Sequence, residues 1–401
     1  MSKELPYIRV GNNYYKIVNV PLASGDYIET IIQWNVEFIK QDHGKDAISS
    51  IPKYDGFCII PSHLDYQQVI GKFYNRYLPF EHKPRKGKWN TIDYFLRHIF
   101  GDQYELGLDY FKLLLEKPTQ KLPVLCLVSK ERGTGKTTFL LFLKAIFGGN
   151  MTINSNEDFK SIFNSSWISK LIIGVDETFL DRKEDSERIK NLSTASLYKS
   201  EAKGKDRFEV EFFGKFVLCS NNEFNFLIIE PGETRYWVLK IKPFDKEING
   251  LLDLLKSEIP FFLFDIINRP FFSKQASRLW FDHKLLQTEA LKNVIKYGRN
   301  RLELEIIGIL QMIMDQTGVD EVRFCLNDVC QWLHAINFRS IESSQITRIL
   351  QHEWKLTHIS NSLSYTRYIL ENNGIINQIQ VKGRYYTVNF SLLKRIDSID
   401  E

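Results

Sequence analysis

The chain has few cysteines: Cys58, Cys126, Cys219, Cys325 and Cys330 are all of them, in 401 residues, and no two stand in a C-x-x-C pair. An odd, scattered set excludes a disulfide framework and offers no zinc-ligand spacing, so the five read as thiols in a reducing compartment. Long hydrophobic runs are missing as well. The most apolar stretch, residues 259–267, carries Asp265 and falls short of the roughly 20 residues that a spanning helix needs. The opening Met-Ser-Lys-Glu-Leu-Pro leads into no apolar segment of the signal-peptide kind. Charge of one sign is scarce too: 53 Lys and Arg against 49 Asp and Glu leave +4, too small a balance for a global positive field, so any nucleic-acid contact has to come from local clusters. Internal repeats and low-complexity tracts are lacking. These absences lead to the expectation of a soluble, cytoplasmic protein with no membrane partner.

What is present is apolar material: 43% hydrophobic and 13% aromatic residues, with 25% charged, enough to fill sizeable cores. By length the chain should hold two to four domains, and three are expected. Residues 6–20 read as two β-rich runs around Gly-Asn-Asn, a hairpin. Residues 27–42 space Ile28, Ile31, Ile32, Val36 and Ile39 as an amphipathic helix would. The basic, apolar-poor stretch 81–88 reads as a linker. Asn90 or Thr91 then caps a helix with Ile92, Phe95, Leu96, Ile99 and Phe100 on one face, and a second helical pattern runs to Glu116. Beyond residue 300, helical patterns at 302–314, at 326–333 and from Ser343 precede a segment read as a hairpin around Lys382-Gly383. That order is a winged-helix pattern.

The decisive stretch is L-P-V-L-C-L-V at 122–128, then S-K-E-R-G-T-G-K-T-T, then an apolar helix ending at Gly148-Gly149. Strand, glycine-bearing loop and helix are the parts of a phosphate-binding loop. Backbone N–H groups around Gly133, Thr134 and Gly135 would face the phosphates, Lys136 would reach the outer oxygens, and Thr137, with Thr138 beside it, would present a hydroxyl to magnesium. The first glycine of the consensus is absent, because Lys130 stands there. The run L-I-I-G-V-D-E follows, ending a strand in Asp176 and Glu177; one carboxylate suits hydrated magnesium, its neighbour an attacking water. A third strand, K-F-V-L-C-S-N-N, offers Asn221 as a neutral hydrogen-bonding amide. Arg235 precedes a fourth, Y-W-V-L-K, and an arginine lent across a subunit interface could offset transition-state charge. Each has a plain counterpart: a chance Gly-Lys-Thr turn, an acidic turn, an ordinary Ser-Asn-Asn turn, a surface arginine.

Taken in order, G-T-G-K-T, V-D-E, S-N-N and T-R-Y resemble the superfamily 3 helicases of the AAA+ class, in particular the primase-helicases of phages and large DNA viruses, over roughly residues 85–290. The resemblance implies an α/β fold, a P-loop AAA+ ATPase core around a central parallel sheet, as a hexameric homo-oligomer that uses ATP and Mg²⁺ to move along single-stranded DNA and open a forked duplex. It also implies a lysine-bearing hairpin between the acidic and asparagine strands, which puts Lys203 and Lys205 at its tip; a solvated turn is the plain alternative. A small α+β N-terminal domain (1–85), the motor with a helical collar (86–295) and a C-terminal winged helix (300–401) are the expected divisions. On the winged helix Gln345, Arg348, His352, Lys382 and Arg384 are candidate DNA contacts, unless it serves packing alone. The N-terminal residues are too few for a primase and lack a D-x-D pair, and Ser62-His63 reads as a core or turn histidine, so a separate primase is expected, in a chain carried by a phage or mobile element. The rival reading is a regulatory or defence ATPase that switches assembly and reads DNA without unwinding it.

Overall fold

The structure, a computed structural model, describes residues 5–21, 27–161, 163–180, 183–201, 208–230, 232–246, 248–297, 301–336, 338, 343–371 and 376–397. It is a mixed α/β protein whose chain divides into two compact units, residues 1–227 with 234–291, and residues 228–233 with 292–401.

The first unit opens with β1 (Tyr7–Val10), β2 (Asn13–Pro21) and β3 (Tyr27–Trp34), followed by α1 (Val36–His43). The β1–β2 hairpin forms as expected, and with β3 and β4 (Lys53–Tyr54) it makes a four-stranded sheet ordered β3-β2-β1-β4. The helix expected over 27–42 is corrected: its first half is a strand, pairing Tyr27↔Pro21 through Trp34↔Tyr14. Ile28, Ile31 and Ile32 fit a helical face, but β-branched residues flanked by Thr30 serve a pleated sheet as well, and the long edge of β2 supplies the partner that local spacing cannot show. His63 is a core histidine. Its ring stacks on Phe80 at 4.2 Å and its Nε2 lies 3.0 Å from the Tyr77 hydroxyl. Burial, then the Lys215 charge, pulls its pKa down to about 3.

The stretch read as a linker at 81–88 lies along the helix Leu251–Asn268: Arg85 N–H donates to the Pro260 carbonyl at 3.0 Å and its guanidinium sits 4.8 Å over the Phe261 ring. Next come α2 (Asn90–Phe100) and α3 (Tyr104–Glu116). The cap expected from Asn90 or Thr91 is corrected: Glu258 Oε2 accepts from the N–H groups of Thr91 and Ile92 at 2.9 and 3.0 Å. A carboxylate from a distant helix satisfies the orphan donors and favours the positive end of the dipole.

The centre of the unit is β5 (Val124–Val128), α4 (Lys136–Phe147), β6 (Met151–Asn154), β7 (Ile172–Val175), β8 (Leu197–Ser200), β9 (Phe208–Glu211), β10 (Lys215–Ser220), β11 (Tyr236–Lys240) and α5 (Leu251–Asn268). Five of these strands form one parallel sheet in the order β11-β5-β10-β7-β6. Strands buried on both faces read as continuous apolar runs, as V-L-C-L-V does, because helices cover both sides of a parallel sheet. An aromatic-rich core packs α2, α3, α4 and α5 together through Phe95, Phe111, Phe139, Phe142 and Phe262, all unexposed. Strands β8 and β9 stand outside the sheet as an antiparallel ribbon, paired Leu197↔Glu211 through Ser200↔Phe208.

The second unit contains α6 (Arg301–Thr317), β12 (Glu321–Phe324), α7 (Leu326–Ala335), α8 (Ser343–Arg348) running into a π turn at Ile349–Glu353, β13 (Leu363–Leu370), β14 (Ile376–Gly383), β15 (Tyr386–Asn389) and α9 (Phe390–Asp397). Its hairpin differs from the expected one. Lys382 and Gly383 end β14, which pairs back onto β13 with Leu370↔Ile376 innermost, while β15 leaves to pair with β12. The lysine-glycine pair therefore lies at the end of the ribbon opposite Leu370 and Ile376. Sequence pattern alone favoured the glycine as the turn, whereas the eight-residue match of β14 to β13 decides the register. Gln345, Arg348, His352, Lys382 and Arg384 are all exposed, and Ser344, Thr347, Arg348 and His352 line one open groove.

A buried carboxylate holds this unit together. Asp328 accepts from Cys325 N–H at 2.8 Å and the Tyr365 hydroxyl at 2.6 Å, and Arg367 Nε lies 2.6 Å from its Oδ1. Removing one partner leaves the others buried without a match. Asp328→Ala should cost about 3 kcal/mol, seen as faster hydrogen exchange across 321–370 with exchange over 124–147 unchanged.

Candidate functional site

The loop after β5 turns on Gly133 (φ +66°) and Gly135 (φ +86°), both left-handed. Such a backbone suits glycine, and at Gly135 a side chain would also meet the Phe244 ring at 3.0 Å. Gly135 stands at the N-terminus of α4, and no side chain caps that end. The first-turn N–H groups and the positive end of the helix dipole therefore face the cleft. Lys136 begins the helix and is 7% exposed. Its Nζ donates to the Thr134 hydroxyl at 3.1 Å and the Ser129 carbonyl at 3.4 Å. Burial lowers its pKa, and Cys219, Asp176 and Glu223 oppose that.

Asp176 and Glu177 follow directly on β7, beside the end of β10 in the sheet order. The Thr137 hydroxyl donates to Asp176 Oδ2 at 3.0 Å, so a helix hydroxyl and a strand carboxylate meet as a pair of hard oxygen donors. That pair fits a magnesium ion, which takes few protein oxygens and keeps waters and phosphate oxygens for the rest. Among the described residues, no group of three or more His, Cys, Asp or Glu could hold a metal by itself. Glu177 is exposed and left-handed at φ +52°, a strain of order 1–3 kcal/mol. The turn is held from outside. Asn156 Nδ2 donates to the Glu177 carbonyl at 2.8 Å, Asn156 Oδ1 accepts from Phe179 N–H at 3.0 Å, and Thr178 N–H donates to the Cys219 carbonyl at 2.6 Å. Asn221 is exposed at the end of β10, whereas Asn222 uses its side-chain oxygen to accept from Phe224 and Asn225 N–H.

One cleft is lined by Gly133, Thr134, Gly135, Lys136, Thr137, Thr138, Asp176, Glu177 and Asn221, with Arg132, Cys219 and Ser220. Nine sequence-predicted residues thus come together at the carboxyl ends of parallel strands, where the order of an open α/β sheet leaves a crevice. Arg235 does not join them. Its carbonyl accepts from Val124 N–H at 2.8 Å, placing it at the opposite end of the sheet. From Lys240, paired with Val128, back to Arg235 is about 16 Å along the strand, farther than an arginine reaches. Lys203 and Lys205 lie outside the described residues; the strands flanking them are paired.

Several neighbours escaped the sequence reading. The Phe244 N–H donates to Gly133 O at 3.3 Å, His98 Nε2 donates to Thr134 O at 3.1 Å, and the two rings stack at 3.8 Å. Burial holds His98 below the usual histidine range, against the opposing pull of its backbone hydrogen bonds and of Asp245. Asn156 and Glu223 were missed as well; only Glu223, one residue past Ser-Asn-Asn, carried a local hint.

A family of unknown function, DUF5906, matches residues 127–235, a span that includes every cleft residue and covers about a quarter of the chain. No curated protein sequence matches. Two apo structures of the NrS-1 C-terminal region are similar: one at TM-score 0.64 and 15% identity, over 95% of this chain and 97% of that one, the other at 0.62 and 15%, over 96% and 97%. The chain shares that fold. The SCCmec type IV Cch active helicase overlaps at TM-score 0.40 and 12% identity, over 97% of this chain and 99% of its own, too loose an overlap to argue from. Among the described residues no helix is long and apolar enough to cross a membrane.

Proposed function

We propose that the cleft binds and hydrolyses ATP, and that the chain is the motor of a ring-shaped superfamily 3 DNA helicase of the AAA+ class. The observation that carries this reading is the 3.0 Å contact of Thr137 with Asp176, beside Lys136 and beneath left-handed Gly133 and Gly135. In it the loop amides and Lys136 hold the β and γ phosphates, while Thr137 and Asp176 hold the hydrated magnesium, which neutralises phosphate charge. Glu177 orients and deprotonates the attacking water, and Asn221 hydrogen-bonds that water or the γ phosphate. The strand order, with β10 inserted between the loop strand and the acidic strand, supports the AAA+ assignment.

The reading extends to a division at 1–85, 86–295 and 300–401. The last part would act as a winged helix offering Arg348, His352, Lys382 and Arg384 to DNA phosphates. A hexameric ring would bring the tips of the β8–β9 ribbon into its pore, where Lys203 and Lys205 meet one strand of DNA. Replication of a phage or mobile element in a bacterial cytoplasm, with priming from another protein, is the matching setting.

Magnesium-dependent ATP hydrolysis stimulated by single-stranded DNA, with unwinding of a forked duplex, is the expected behaviour. Stimulation without unwinding would favour an ATPase switch. The double variant Lys203→Ala, Lys205→Ala should keep basal hydrolysis and lose most of the stimulation, with a shallower salt dependence of DNA binding, since each phosphate contact on a single strand adds about 0.7 to that slope. Undiminished stimulation would reject the pore assignment.

A further inference from the structure

A phosphate loop ordinarily opens on a glycine, and here Lys130 stands in that place. A side chain there keeps the backbone out of the left-handed region that glycine would allow, and the loop entry is held in place by hydrogen bonds from outside it. Glu223 is 6% exposed although it is acidic. Its Oε1 accepts from Lys130 N–H at 3.0 Å, and its Oε2 pairs with Lys240 Nζ at 2.9 Å at the end of β11. Burial raises the carboxyl's pKa, the Lys240 ammonium and the Lys130 N–H lower it, and the balance falls below the ordinary glutamate range.

Other bonds join the same segments. Ser129 N–H donates to Ser220 O at 3.1 Å, Ile241 N–H donates to Val128 O at 2.9 Å, and the Lys130 ammonium lies 4.6 Å over the Phe224 ring. One carboxylate thus ties together the loop entry, the turn that carries Asn221 and the end of β11. A lone carboxylate near a triphosphate would repel it; Lys240 and Lys130 offset that charge.

We infer that Glu223 is a positioning residue of the nucleotide cleft, standing in for the missing loop-entry glycine by fixing Lys130 so that the loop amides converge on the phosphates. The inference rests on the reading of the cleft as an ATP site. Preorganisation of this kind acts on affinity, because an unanchored loop must be ordered each time nucleotide binds.

The test is equilibrium binding of a fluorescent ATP analogue with magnesium to the full chain. Glu223→Ala should weaken binding roughly 10- to 100-fold, the size of one hydrogen bond to a charged group. Glu223→Gln keeps an acceptor for Lys130 N–H and should recover most of that loss. Glu223→Asp keeps the charge, shortens the reach, and should bind between the two. Because Gln and Asp disturb the interior little, they decide the matter even where the alanine variant does not fold. Glu223→Asp binding as tightly as wild type, or Glu223→Gln binding no better than Glu223→Asp, overturns the inference while the ATP reading stands. Failure of the unmodified protein to bind the analogue removes the ATP reading itself.

Discussion

Arg235→Ala should lower ATP turnover of the assembled protein by roughly 10³- to 10⁵-fold, the range measured for arginines that stabilise phosphoryl-transfer charge, with nucleotide affinity near wild type. Geometry dictates how. Arg235 sits beside Val124, at the end of the sheet away from the loop that follows Val128, so it cannot serve the cleft of its own chain. Any catalytic role is in trans. Complementation separates that role from a local structural one: Arg235→Ala and Lys136→Ala subunits, each inactive alone, should regain activity when mixed. In a random equal mixture half the clefts keep Lys136 and half of those face an intact Arg235, so about a quarter of the sites of a cyclic assembly are competent. A mixture as dead as its components rules out the trans role.

Glu177→Gln should retain magnesium-ATP and lose about 10²- to 10⁴-fold in single-turnover hydrolysis, as expected when a general base is removed. The two neighbouring carboxylates are not equivalent. Asp176 is half-buried and engaged by Thr137, whereas Glu177 is exposed to the cleft on a strained turn that Asn156 holds by its backbone. Lys136→Ala, by contrast, removes the cation that faces the phosphates and should abolish binding. Filter binding beside quench-flow hydrolysis distinguishes these outcomes; a Gln variant that hydrolyses at the wild-type rate removes Glu177 from the chemistry.

Where sequence reading succeeded, the physics was local. The strands at 124–128 and 172–175 are apolar throughout, and 215–220 is apolar between Lys215 and Ser220, because both faces of a parallel sheet are covered. The loop glycines are legible because positive φ excludes most side chains. Where it failed, partners far along the chain decided. Ile28, Ile31 and Ile32 fitted a helix until β2 was seen to pair with them, and the helix at 90 is capped by Glu258, 167 residues from Thr91. The ribbon of the second unit does not turn at Lys382-Gly383 because β13 and β14 match over their whole length. Asn156 and Glu223 are unremarkable polar residues in sequence; their meaning lies in which backbone groups they touch.

By itself the sequence determined the chemistry available: a cation, a hydroxyl, two carboxylates and an amide, each at the end of an apolar run that had to become a buried strand or helix. Those choices follow from side-chain period and backbone sterics, which act over a few residues. Only the tertiary structure decided which of them share a cleft, that Arg235 is held at the far end of the sheet, and that a buried glutamate anchors a loop lacking its glycine. Such facts arise from strand order and long-range hydrogen bonds, between residues that the chain sequence places far apart.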